Sequence, residues 1–219
     1  LIGQKLVENA KIQKFKCDVL SNFQTMCFGC ILGILEDHLI PSSPRNIPYN
    51  FSVPIGKVKI KGQYKQPQVI DDHIFKGRIK NGFFIEAGAY DGEAISNTLY
   101  YETKYNWTGI LIEPNPDAFE ELKLKQRKAW LLGSCLSTSD KSDIVEFDAS
   151  GLLGGIIHEG KKPGRDEANE RTFVGGGLLK PIDGLEDRFK FKRRTIQAQC
   201  FPLFSILQAI GNPTVHYFR

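Results

Sequence analysis

Two short runs hold the residues best placed to do chemistry: Phe84-Ile85-Glu86-Ala87-Gly88-Ala89-Tyr90-Asp91-Gly92 and Leu111-Ile112-Glu113-Pro114. In each, an apolar stretch ends in an acid. Acids at such ends sit where open parallel sheets hold their ligands, beyond the carboxyl ends of the strands. Gly88 lets the backbone turn sharply and approach a ligand, and Gly92 leaves out a Cβ where the next helix should open. The amino terminus of that helix adds unpaired N–H groups. The chemistry this implies is binding: Glu86 and Asp91 favour a positively charged group, and Glu113 can accept hydrogen bonds from hydroxyls. Asp91 reads equally as a helix cap, and Tyr90 equally as a packing residue. None of these residues is assigned a catalytic role.

Two cofactors compete for the arrangement. A dinucleotide calls for G-x-G-x-x-G ahead of a helix. Here the spacing is Gly88-x-x-x-Gly92, Tyr90 stands in place of the middle glycine, and two acids oppose a pyrophosphate. S-adenosylmethionine fits the charges better. Its ammonium and sulfonium tolerate Glu86 and Asp91, and its ribose hydroxyls can donate to Glu113. Hydrogen bonds of that charged kind contribute about 1.5–3 kcal/mol each. A metal is not expected, because His38, His73, His158 and His216 show no mutual ligand spacing.

The elements that must position these residues follow from periodicity. Phe83–Ile85 reads as a buried parallel strand, residues 93–104 as a helix, and Thr108–Ile112 as a second strand. Asp117–Lys128 reads as an amphipathic helix with Phe119 and Leu122 inward, and Ala129–Leu136 as a third strand. Such βαβαβ alternation predicts an α/β fold with a parallel sheet. Residues 150–190, rich in glycine and charge, predict a loop or a small β insertion. Thr195–Cys200, Phe201–Ile210 and Thr214–Phe218 then read as strand, helix and strand. Ahead of the sheet, residues 1–70 read as an arm. Phe28, Ile31, Leu32, Leu35 and Leu39 recur at helical spacing, and Pro41 to Pro67 reads as an extended linker with Lys57, Lys59 and Lys61 on an edge strand.

Charge and cysteine content narrow the function classes. The net charge is +4, too mild to point to nucleic acid. Its excess lies in the first 81 residues, with 12 basic and 6 acidic side chains, whereas the remainder carries 17 and 19. The basic cluster of residues 188–194 reads as a solvated loop. Val19 to Leu35 lacks charge and follows Lys11, Lys14 and Lys16, an arrangement that resembles a weak signal anchor. It is shorter than the ~20 apolar residues of a membrane span, so an amphipathic helix is the leading expectation there. The five cysteines are an odd number and too few for a disulfide scaffold, and Cys27-Phe-Gly-Cys30 lacks the partners of a zinc site. Asn50-Phe-Ser52 and Asn106-Trp-Thr108 match the glycosylation sequon, which matters only where a domain faces a lumen.

Five blocks in order carry a family resemblance. They are Asn81 to Glu93, Asn106 to Pro114, Arg127-Lys-Ala-Trp130, Ser134-Cys-Leu-Ser137 and Gln199-Cys-Phe-Pro-Leu203. Together they resemble the FkbM-type methyltransferase domain, more narrowly its animal Star-like branch, over residues 71–219. The resemblance implies a Rossmann-like class I methyltransferase sheet and S-adenosylmethionine bound by Glu86, Ala87, Gly88, Ala89, Tyr90, Asp91 and Gly92, with Glu113 on the ribose. It implies O-methyl transfer to a small-molecule or glycan acceptor. The Star-like branch also implies an alternative: a non-catalytic trafficking factor with membrane cargo, acting in ER-to-Golgi and endosomal transport at ER, Golgi, endosome or plasma membranes. The sequence stops at Arg219 within its last strand, before the Ser-Leu-Asp-(Ile/Val)-Glu-Gly continuation of the family. The expectation is therefore a C-terminally truncated half-sheet of strand order 3-2-1-4, with doubtful activity of its own.

Overall fold

Runs of apolar residues with both faces covered build the main sheet of the computed structural model, which describes residues 28–52, 62–149, 154–157 and 194–219. In chain order the elements are α1 (Phe28–His38), β1 (Leu39–Ile40), α2 (Gln66–Ile70) continuing into a wide helical turn (Asp71–Phe75), β2 (Phe83–Ala87), α3 (Leu99–Tyr105), β3 (Thr108–Ile112), α4 (Pro116–Leu124), β4 (Trp130–Leu132), β5 (Cys135–Leu136), β6 (Asp143–Asp148), β7 (Gly155–Ile156), β8 (Thr195–Phe201), α5 (Leu203–Ala209) and β9 (Tyr217–Phe218). The fold is α/β with mixed sheets.

The main sheet has the order β1-β4-β3-β2-β9. Strands β4, β3, β2 and β9 are parallel, while β1 runs antiparallel to β4. This corrects the expected four-strand half-sheet of order 3-2-1-4: Leu39 and Ile40 add an antiparallel strand beyond the third parallel one. That addition pairs an edge whose N–H and C=O groups would otherwise be open. A second sheet, of order β5-β8-β6-β7, was not foreseen as such. The stretch expected as one strand over 129–136 divides between the two sheets, broken at Gly133 and Ser134.

Side-chain alternation along the strands sorts the core into two layers. Ile85, Ile110, Ile112 and Leu132 face Ile31, Leu35, Leu39, Phe201 and Ile206, so α1 and α5 cover one face. Phe84, Leu111 and Leu131 face Tyr101, Tyr105, Trp107, Leu122 and Ala129, so α3 and α4 cover the other. Each such side chain contributes about 1.5–3 kcal/mol on full burial. The amphipathic reading of Ile31 and Leu35 agrees with their burial on this core. No helix among the described residues is long and apolar enough to cross a membrane. Residues 19–27, the Lys57–Lys61 row, Cys27, most of the 150–190 segment and residues 188–193 lie outside the described residues.

The linker expected from Pro41 is pressed onto the fold at its first part. Ser43 N–H donates to the Arg127 carbonyl at 3.1 Å and Asn50 N–H to that of Lys125 at 3.0 Å. The Lys128 ammonium donates to the carbonyls of Pro44 and Ile47 at 3.1 and 2.6 Å. Cys135 and Cys200, register partners on β5 and β8, form a disulfide across a sequence separation of 65 residues. Cysteine count alone gave no sign of that pairing.

Strand β3 lies close against β2 because Gly109 has no side chain. A Cβ there would run into the Phe84 carbonyl oxygen and ring. Gly109→Ala is therefore expected to cost about 1–3 kcal/mol, the usual toll of overpacking, read as a lower midpoint in urea unfolding. An unchanged midpoint would show that the two strands can move apart freely.

Candidate functional site

The register of β2 and β3 sets the site. Ala87 pairs with Ile112, so the next residues, Gly88 and Glu113, leave the sheet side by side. Gly88 N–H and Ala89 N–H both donate to the Ile112 carbonyl, at 2.9 and 3.1 Å. This folds the chain back over β3, and Gly88 takes φ +83°, a conformation that favours glycine. Gly88 is exposed, and a Cβ built on it meets nothing within 4 Å, so the space in front of it is open. Ala87 is half-buried, and its N–H donates to the Arg219 carbonyl at 2.8 Å; Ala89 is buried in the α3–α4 layer.

Glu113 is 5% exposed. Its two carboxylate oxygens accept from Tyr90 N–H at 2.7 Å and from Asn115 N–H at 2.8 Å. Burial pushes its pKa up, against the opposing pull of those two N–H groups. Asn115 in turn caps α4, accepting from Asp117 N–H at 3.1 Å, and donates from its amide to the Ala149 carbonyl. Tyr90, half-buried at φ +52°, is therefore attached to Glu113 through its backbone.

Glu86 is placed differently. It is fully buried and takes hydrogen bonds from the hydroxyls of Ser96 (2.7 Å) and Thr98 (2.6 Å) and from Asn97 N–H (2.9 Å). The Arg219 guanidinium lies 3.5 Å from its Oε1. Asp91 is also buried and accepts from the N–H groups of Glu93 and Ala94 at 2.9 and 2.7 Å. It thus caps a turn and not a helix. The helix expected over 93–104 starts only at Leu99, after an irregular loop. Gly92 opens no helix; a Cβ there would collide with Leu122 beneath the loop.

Sequence reasoning missed the group that shapes this loop. Arg127, fully buried, pairs with buried Glu102 at 2.9 Å. It donates also to the Gly92 carbonyl, to Ser96 Oγ at 3.3 Å and to Thr98 Oγ1 at 3.1 Å. Glu102 accepts further from Lys128 N–H at 2.7 Å. Lys123, Lys125 and Lys128 are charged too, so residue type did not set Arg127 apart; the sequence marked it only as the first residue of the block Arg127–Trp130. Nearby, Glu93 pairs with Lys125 at 2.7 Å and takes the N–H of Ser52. Burial alone would raise the Glu93 pKa, but Lys125 and Ser52 hold it below the usual carboxylate range.

A second polar cluster supports α3 from below. Asp71, 2% exposed, accepts from Tyr100, Tyr105, Lys104 and Gly77 N–H. Burial opposes its charge, yet these donors lower its pKa on balance. Among the described residues, no group of three or more His, Cys, Asp or Glu could hold a metal ion. A cavity of about 190 Å³ lies against Asn50, Ser52, Glu121 and Lys125. It includes neither Gly88 nor Glu113 and is smaller than the ~300 Å³ at which ligand pockets begin. No family model, curated protein or solved structure matches the chain.

Two outcomes follow from this geometry. Arg127→Met strands the Glu102 carboxylate in a dry interior and should cost about 3–5 kcal/mol in urea unfolding, whereas Arg127→Met with Glu102→Leu should cost less, because neither charge is then unpaired. Equal losses would deny the pairing. For Glu113, the folded pKa lies above its ordinary 4.5, so the folded state binds the proton more tightly than the unfolded chain. Its stability contribution is present below that value and is lost as pH rises through the folded pKa. Unfolding followed across this window should show a flatter slope in Glu113→Gln than in the parent.

Proposed function

We propose that the chain carries an S-adenosylmethionine-dependent methyltransferase domain of FkbM type. On this reading β4, β3, β2 and β9 are half of a Rossmann-like class I sheet. The observation that supports it most is Gly88 beside Glu113: an open glycine turn next to a buried acid, at the ends of two paired parallel strands. The donor set suits the cofactor on three counts. Gly88 leaves room for close approach of a ligand to the backbone. Glu113 is fixed in place by the Tyr90 and Asn115 N–H groups, and each carboxylate oxygen retains further acceptor capacity for a ribose hydroxyl. Burial raises the Glu113 pKa, and carboxylates perturbed in this way cluster at functional sites. When bound, S-adenosylmethionine supplies an electrophilic methyl group on sulfonium, for transfer to an acceptor oxygen.

The chain's own contribution is orientation. The backbone of Ala89 and Gly88 anchors the loop on Ile112, Tyr90 N–H donates to Glu113, and Arg127 and Glu86 hydrogen-bond the rest of the loop. One observation favours the second reading, a non-catalytic Star-like trafficking module. Glu86 and Asp91, the acids expected beside the cofactor's positive charge, are buried and engaged within the loop itself.

Calorimetry with S-adenosylhomocysteine separates the two. The methyltransferase reading expects binding, weakened tenfold or more by Glu113→Ala, equivalent to about 1.5–3 kcal/mol. No binding by the parent would favour the non-catalytic module. Equal affinity in the mutant would remove Glu113 from the ribose.

A further inference from the structure

We propose that Asn50 and Asn106 are acceptor sites for N-linked glycans on a domain that matures in an oxidising lumen. Two independent observations converge on this. The first is the Cys135–Cys200 disulfide, which joins two buried register partners of β5 and β8. Such bonds form and persist in oxidising compartments and are rare where glutathione keeps thiols reduced.

The second is how the two sequons are displayed. Asn106 is exposed in the left-handed cap between α3 and β3, with φ 60°. Its neighbour Trp107 is fully buried, and the Thr108 hydroxyl turns inward to the Lys128 carbonyl at 2.7 Å. Asn106 is therefore the member of its tripeptide that faces water. Its Nδ2 donates to Asn81 Oδ1 at 2.6 Å. Asn50 is exposed on the arm, outside any helix or strand, and its Nδ2 donates to the Leu124 carbonyl at 3.1 Å. A glycosylated asparagine keeps one amide hydrogen, so each of these bonds can survive modification. Both positions thus have room for a sugar on the outer side and a retained anchor on the inner side.

The chemistry balances with two co-reactants of the compartment. Nδ2 of each asparagine attacks the anomeric carbon of an oligosaccharide carried on a polyprenyl diphosphate. The new C–N bond replaces the C–O bond to diphosphate, the lipid diphosphate leaves, and Nδ2 gives up one proton. The two cysteine thiols lose two protons and two electrons to a protein disulfide, which becomes a dithiol.

The test uses the protein isolated from the cells that make it. Treatment with a glycan-removing amidase in heavy-oxygen water converts a glycosylated asparagine into labelled aspartate. Peptide mass spectrometry should find that label at positions 50 and 106. Alkylation before reduction should leave Cys135 and Cys200 unmodified, and alkylation after reduction should label both. Unlabelled asparagine at both positions, or thiols reactive without reduction, would overturn the proposal; label at one position alone would overturn the other assignment. Calorimetry with S-adenosylhomocysteine on purified protein is indifferent to this outcome, so either proposal can fail without the other.

Discussion

Arg127 brings a permanent positive charge into a region from which water is excluded, and the segment between β2 and α3 is arranged around that charge. A guanidinium cannot shed its proton inside a protein, so its donors must all find acceptors. Glu102 neutralises it, and the Gly92 carbonyl, Ser96 and Thr98 take further N–H groups. The two hydroxyls do more than accept. Each has one hydrogen, which goes to Glu86, while its lone pairs receive Arg127. Ser96 and Thr98 therefore relay between a buried cation and a buried anion on different elements. Losing any member would leave another polar group unsatisfied at low dielectric, so side-chain hydrogen bonds stand in this loop where regular structure is lacking.

The same network explains where the sequence misleads. Strands β2 and β3 were legible because apolar runs bounded by acids and glycines leave few alternatives, and Thr108–Ile112 forms over the expected residues. The stretch 93–104 has helical spacing, yet only Leu99–Tyr105 is helical. Asp91 draws in the N–H groups of Glu93 and Ala94, and Glu86 draws in that of Asn97. Side-chain acceptors of this kind compete with the helix for backbone donors. Periodicity registers which residues face inward; it does not register that a buried carboxylate from another strand will claim their amides.

Other features were illegible for a simpler reason: they rest on backbone groups or on pairings distant in sequence. The arm from Ser43 to Asn50 is held by backbone bonds to Arg127 and Lys125 and by the Lys128 ammonium. Main-chain partners leave no pattern in residue type. Strand β6 has a mixed burial pattern and is defined by antiparallel pairing with β8, some fifty residues later in register. Cysteine spacing likewise cannot tell which thiols meet, and Cys135 finds Cys200 only once β5 and β8 lie side by side.

Glu86 and Glu113 show how far a shared sequence context can diverge. Both are acids at the ends of neighbouring parallel strands, and both are buried. Glu86 lies on the α3–α4 side of its strand, where hydroxyls, an amide and the Arg219 guanidinium surround it. Its charge is used inside the protein. Glu113 lies one residue past β3, next to the open turn at Gly88, and among the described residues two backbone N–H groups donate to its carboxylate. Desolvation is then the larger influence, and the proton is held more tightly. A buried carboxylate whose donors do not offset its desolvation costs the folded state stability once it is ionised. Of two acids alike in sequence, one is held by side-chain hydroxyls and a guanidinium and the other by backbone N–H groups beside an open turn.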